Sequence, residues 1–116
     1  MLSASHRLST AADFRQAVRR GRRAGGPLVV VHLVTTNVDK PTNEPPRVGF
    51  VVSKTVGPAV TRNRVKRRLR HLMRQRVDTL APDSLLVVRA QPASALATYR
   101  DLEADLDRCL GRVVGS

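Results

Sequence analysis

Residues 53–70 read Ser53-Lys54-Thr55-Val56-Gly57-Pro58-Ala59-Val60-Thr61-Arg62-Asn63-Arg64-Val65-Lys66-Arg67-Arg68-Leu69-Arg70, the end of an apolar strand running through a Gly-Pro turn into a helix dense in guanidinium groups. At about 100° per residue, Val65, Leu69, Leu72 and Met73 fall on one stripe, and Lys66, Arg67, Arg68, Arg70 and Arg74 occupy the opposite arc. One face is built for a core and the other for a polyanion. A merely solvated helix mixes both signs for pairing one turn apart. No Asp or Glu occurs between Glu44 and Asp78, so this helix repels itself unless an anionic partner neutralises it.

The whole chain agrees with this segment. Its 116 residues carry 21 Lys+Arg against 9 Asp+Glu, a formal net charge of +12, which points to nucleic acid. An apolar content of 41% suffices for a folded core and excludes a disordered basic tail. The apolar run Leu28 to Val31 is too short to span a bilayer and the first twelve residues lack a signal core, so a cytoplasmic protein without membrane contact is expected. A lone Cys109 excludes an internal disulfide and a CxxC zinc site, and fits helix packing.

No repeat or long linker divides the chain, so residues 1–116 are expected to form a single domain with flexible ends at 1–6 and 114–116 and a Pro-rich loop at 38–46. A first helix is predicted from Thr10 to Arg20, stopped by Gly21. Strands are predicted at 28–34, 47–53 and 84–89, with the arginine helix over 61–80 and a last helix over 98–113. The order αββαβα gives an α+β fold, a two-layer α/β sandwich, whose crossover hand periodicity does not determine.

With Ser53-Lys54, Gly57, Ala59-Val60, Arg62-Asn63-Arg64, Lys66-Arg67 and Arg70 in place, the chain resembles the bacterial ribonuclease P protein subunit. Arg7-Leu8, Asp13-Phe14, Arg47-Val48-Gly49 and Pro92-Ala93-Ser94 follow in the family's order, so the resemblance covers nearly the whole length. It implies a ribosomal protein S5 domain 2-like sandwich with a left-handed βαβ crossover, against the usual right-handed rule. It further implies a small protein bound to a catalytic ribonuclease P RNA, the two together removing the 5′ leader of precursor tRNA by Mg2+-dependent hydrolysis. In that scheme the RNA performs the chemistry and binds most of the Mg2+, the protein alone holds no metal, and there is no small-molecule substrate.

The residue types are consistent with that division of labour. A two-metal protein nuclease needs converging carboxylates. Four of the nine acids, Asp101, Glu103, Asp105 and Asp107, instead alternate along the last helix and read as a solvated face. His6, His32 and His71 are scattered and suggest no acid-base pair. No catalytic residue is expected.

For binding the catalytic RNA the candidates are Arg62, Asn63, Arg64, Lys66, Arg67, Arg68, Arg70 and Arg74, with Asn63 expected to fix the loop at 57–61 by a hydrogen bond. For a cleft holding the leader, the resemblance points to Phe14, Val18, His32, Arg47 and Lys54. Arg19, Arg20, Arg22 and Arg23, at the end of the first helix and its loop, form a secondary basic cluster. With Phe14, Phe50 and Tyr99 as the only aromatics, leader binding is expected to rely more on charge and van der Waals contact than on stacking. Two rivals stay open: a structural, ribosomal-type RNA-binding protein without a role in cleavage, and an autonomous nuclease.

Overall fold

Val and Leu fill both faces of two central strands, and the rest of the fold is arranged to cover them. The computed structural model describes residues 21–35 and 42–114. It contains strands β1 (Arg22–Gly25), β2 (Val29–Thr35), β3 (Arg47–Val51) and β4 (Ser84–Ala90), with helices α1 (Ala59–Arg74) and α2 (Tyr99–Val114). The sheet order is β1-β2-β4-β3, with β3 parallel to β4 and the other pairs antiparallel. The helix expected over Thr10–Arg20 lies outside the described residues.

One sheet face, through Val29, Val31, Val48, Leu86 and Val88, packs against Val65, Leu69 and Leu72 of α1 and Leu102, Leu106 and Val113 of α2 in one core. The stripe read from the arginine helix is buried as expected. On the other face Leu85 and Val87 are buried among Val34 and Val51.

Three expectations need correction. Arg22 and Arg23 are not in a loop but in β1, an edge strand that pairs Arg22 with Leu33 and Arg23 with His32. Four residues with two charges carry too little alternation to reveal a strand, and it is the pairing with β2 that makes one. The arginine helix also ends at Arg74, not near residue 80. Arg76 stops it: its Nη1 donates to the Leu72 carbonyl at 2.9 Å, and its Nη2 to Glu103 of α2 at 2.8 Å. A helical terminus leaves carbonyls unpaired, and here a side chain just past the end satisfies one. Asp107 binds the same guanidinium, and the two acids hold it firmly protonated.

The acids of α2 are therefore not one solvated face. Asp105 is 2% exposed, and its Oδ2 accepts from the backbone N–H of Leu28 at 2.9 Å and of Val29 at 3.0 Å. Arg108 pairs with its other oxygen. Gly26 lies so close that a Cβ there would overlap the carboxylate, so this turn requires glycine. Asp101 closes a capping box, receiving the Thr98 N–H while its own N–H reaches Thr98 Oγ1 at 3.1 Å.

Candidate nucleic-acid interface

The basic helix starts at a built corner. Gly57 has φ +150°, a conformation that disfavours a side chain, and Pro58 supplies the fixed φ of −66° that leads into the first turn of α1. Arg62, rather than Asn63, ties this corner, its Nε donating to the Gly57 carbonyl at 3.1 Å. Asn63 is exposed and joins Lys66, Arg67, Arg70, His71 and Arg74 along a surface groove of about 470 Å³. Arg74 donates to His71 Nδ1 at 3.4 Å, and the imidazole tilts against Tyr99 with ring centres 5.9 Å apart.

The remaining candidates on α1 point elsewhere. Arg64 Nη2 donates to the Ala95 carbonyl at 2.8 Å and Arg68 Nη1 to the Ala97 carbonyl at 3.1 Å. Both anchor the turn that follows β4, so each presents only part of its guanidinium outward. Arg62, Arg64 and Arg68 thus set the frame, and the groove residues offer the free donors. Like charges one turn apart, such as Lys66 and Arg70 or Arg70 and Arg74, raise the energy of the isolated helix by a few tenths of a kcal/mol per pair, a repulsion that phosphate would relieve.

The sheet face opposite the helices has a buried centre, with Val30, His32, Leu85 and Val87 at most 5% exposed, and carries exposed Arg23 and Arg89 and half-buried Arg47 at its margins. Register puts Arg23, His32, Val87 and Gly49 in one row across the strands, with Val30, Arg89 and Val51 in the next and Val34, Leu85 and Arg47 beyond. His32 is 3% exposed, and neither ring nitrogen has a hydrogen-bond partner among the described residues. Burial, then the positive fields of Arg89 and Arg23, push its pKa below the ordinary 6.5, so it is neutral at pH 7. Lys54 is exposed in the turn after β3. Phe14, Val18, Arg19 and Arg20 lie outside the described residues.

Nothing in the sequence marks Arg89 as a site residue. It belongs to no motif, and only the pairing of β4 with β2 places it beside His32. Alternation along Leu85, Val87 and Arg89 was the available signal, but it does not say which face is which.

Comparison with known proteins places the chain in a family. The family model described as Ribonuclease P matches residues 2–114. This chain belongs to the ribonuclease P family. It is similar to the ribonuclease P protein component of Nocardioides sp., 57% identical over 114 residues that cover 97% of this chain and 95% of that one. The ribonuclease P protein component of Streptomyces avermitilis is 55% identical over 119 residues, covering 99% and 97%. Among solved structures, the RNase P protein of Staphylococcus aureus superposes with a TM-score of 0.78 at 24% identity over 92% of this chain and 94% of that one. That of Thermotoga maritima gives 0.74 at 22% identity over 92% and 96%. The ribonuclease P fold is thus shared, and the four-stranded sheet with both described helices on one face is its form in this member.

Proposed function

We propose that this ribonuclease P protein component binds the catalytic RNA through the groove of α1 and the 5′ leader of precursor tRNA through the opposite sheet face, while the RNA hydrolyses the phosphodiester. The observation that carries this reading is the groove itself: Asn63, Lys66, Arg67, Arg70, His71 and Arg74 are presented together by a helix whose other side is locked into the core. Such an array neutralises several phosphates at once and releases their counterions. Arg47, Lys54 and Arg89 are the cations assigned to the leader, and the buried, neutral His32 lies beneath them. The narrow supply of aromatics favours contact with the sugar-phosphate chain over base stacking.

The described carboxylates do not fit a protein-held Mg2+. Of the seven, Asp83, Asp101, Glu103, Asp105 and Asp107 accept from N–H, hydroxyl or guanidinium donors within the fold, and exposed Glu44 and Asp78 belong to no cluster of three metal-ligating side chains among the described residues. That use of the acids supports assigning the metal to the RNA. Among the described residues no helix is long and apolar enough to cross a membrane, and the reading places the protein with its RNA in the cytoplasm.

The test is cleavage of precursor tRNA at low Mg2+ by protein alone, by the ribonuclease P RNA of the same genome alone, and by both. Activity is expected only, or far more strongly, in the mixture. Cleavage by protein alone would establish the autonomous nuclease. Binding of RNA without any effect on cleavage would establish the structural RNA-binding alternative.

A further inference from the structure

Leu96 is the most exposed large apolar side chain described, at 96%, and its backbone is held on both sides. The carbonyl before it accepts from Arg64 and the carbonyl after it from Arg68. Its own N–H reaches Ala93 O at 3.3 Å, and the N–H of Ala97 reaches Ser94 O at the same distance. Ser94, wholly buried, closes the turn by donating its hydroxyl to Gln91 O at 2.6 Å. Two arginines of the basic helix are thus engaged in fixing a turn whose tip shows water a leucine. An exposed leucine on a mobile loop means little. One held by charge-assisted bonds on both flanks has already lost much of the freedom that binding would cost it.

Beside Leu96 runs a shallow groove of about 420 Å³ with a floor of Pro27, Leu28, Ala93, Ala97 and Ala104. The carboxylates in its wall are already answered, Asp101 by Thr98 and Asp105 by two backbone N–H groups and Arg108. Arg108 is paired with Asp105, and Asp101 meets only a neutral N–H, so the groove itself does not favour phosphate and suits an uncharged base beside the phosphates held by α1. Its apolar surface, one leucine and a set of alanine and proline groups, is far below the roughly 1,200 Å² that a stable protein interface buries. It suits an object the size of a single base, and Leu96 at its edge stands next to α1, whose Arg64 and Arg68 hold the carbonyls on either side of it.

We propose that Leu96 and this groove receive one unpaired nucleobase of the catalytic RNA, extending the α1 interface beyond its phosphate contacts. The proposal rests on the assignment of α1 to that RNA. Unpaired bases are what proteins reach in folded RNA, and apolar side chains are used as wedges and platforms against them.

The test measures affinity for the ribonuclease P RNA of the same genome across a salt series. Leu96→Ala is expected to weaken binding about five- to tenfold, the lower end of the range for losing one base contact, with the slope against log salt unchanged because no ion pair is lost. Leu96→Met should restore most of the affinity, and Arg70→Ala should reduce the slope. A photo-crosslinking phenylalanine derivative at position 96 should join to a single unpaired nucleotide. Wild-type affinity in a folded Leu96→Ala protein, or a crosslink only to a second copy of this chain, would overturn the proposal while leaving the role of α1 intact. Failure of the wild-type protein to bind the RNA would remove both.

Discussion

Asp105 and Asp107 are two positions apart and chemically alike, yet they differ in what their removal leaves behind. Without the Asp105 carboxylate the N–H groups of Leu28 and Val29 lose their acceptor inside the fold, and an unsatisfied buried donor costs about 1–3 kcal/mol. Asp105→Ala should therefore lower unfolding free energy by about 3 kcal/mol, against about 1 kcal/mol or less for Asp107→Ala, whose side chain is half exposed. Equal urea midpoints for the two variants would refute the anchoring role. The sequence shows four acids at two-residue spacing but not which of them meets the β1–β2 turn, because that contact spans 76 or more positions. His32 is the second residue whose surroundings set its behaviour. Its folded pKa is lowered, so the unfolded chain takes up the proton first, and stability present above about pH 6.5 is lost as pH falls toward the folded value. Thermal unfolding of His32→Phe should lack that loss. A variant as acid-sensitive as wild type between about pH 7 and 5 would place the titration elsewhere. Asp83 contributes in a different window. The Thr42 hydroxyl and then backbone N–H groups hold its pKa below the usual range, so its stabilisation is lost only as pH falls below about 4.

Among the elements, α1 was the most legible because its period alone separates Val65, Leu69, Leu72 and Met73 from the cations. Its end was not legible. Gln75, Arg76 and Val77 are acceptable helix residues, and what stops the helix is the long-range pairing of Arg76 with Glu103 and Asp107. Arg76→Ala should uncouple the ends of α1 and α2 and cost about 1 to 2 kcal/mol, limited by the partial exposure of both acids. Hydrogen exchange concentrated at residues 72–80 and 103–107 would report it, and uniform protection across those segments would count against it. The same helix also holds two kinds of arginine. Arg67→Ala, Arg70→Ala and Arg74→Ala should each weaken RNA binding and reduce the salt slope by about one. Arg64→Ala and Arg68→Ala should in addition loosen the 91–97 turn, which faster backbone exchange at Ala95 to Ala97 would detect.

At the scale of the molecule, positive charge stands on the exposed arc of α1 and, separately, at the margins of the opposite sheet face through Arg23, Arg47 and Arg89, while most of the described acids are turned to internal use. On the function proposed above, that separation assigns the large RNA and the substrate strand to different places, and it predicts distinct mutant phenotypes for the two. Arg89→Ala should leave assembly with the catalytic RNA unchanged and weaken the assembled enzyme's affinity for precursor tRNA carrying several leader nucleotides, by about three- to tenfold for one phosphate contact in partly screened surroundings. Affinity for mature tRNA should not change, and this comparison distinguishes a leader contact from a folding defect, which would lower both. Lengthening the leader from one nucleotide to several should reveal the step in affinity in wild type and shrink it in Arg89→Ala. An equal loss for leader-bearing and leaderless tRNA, or none for either, would remove the sheet face from the leader path and leave Arg89 as an ordinary solvated charge on β4.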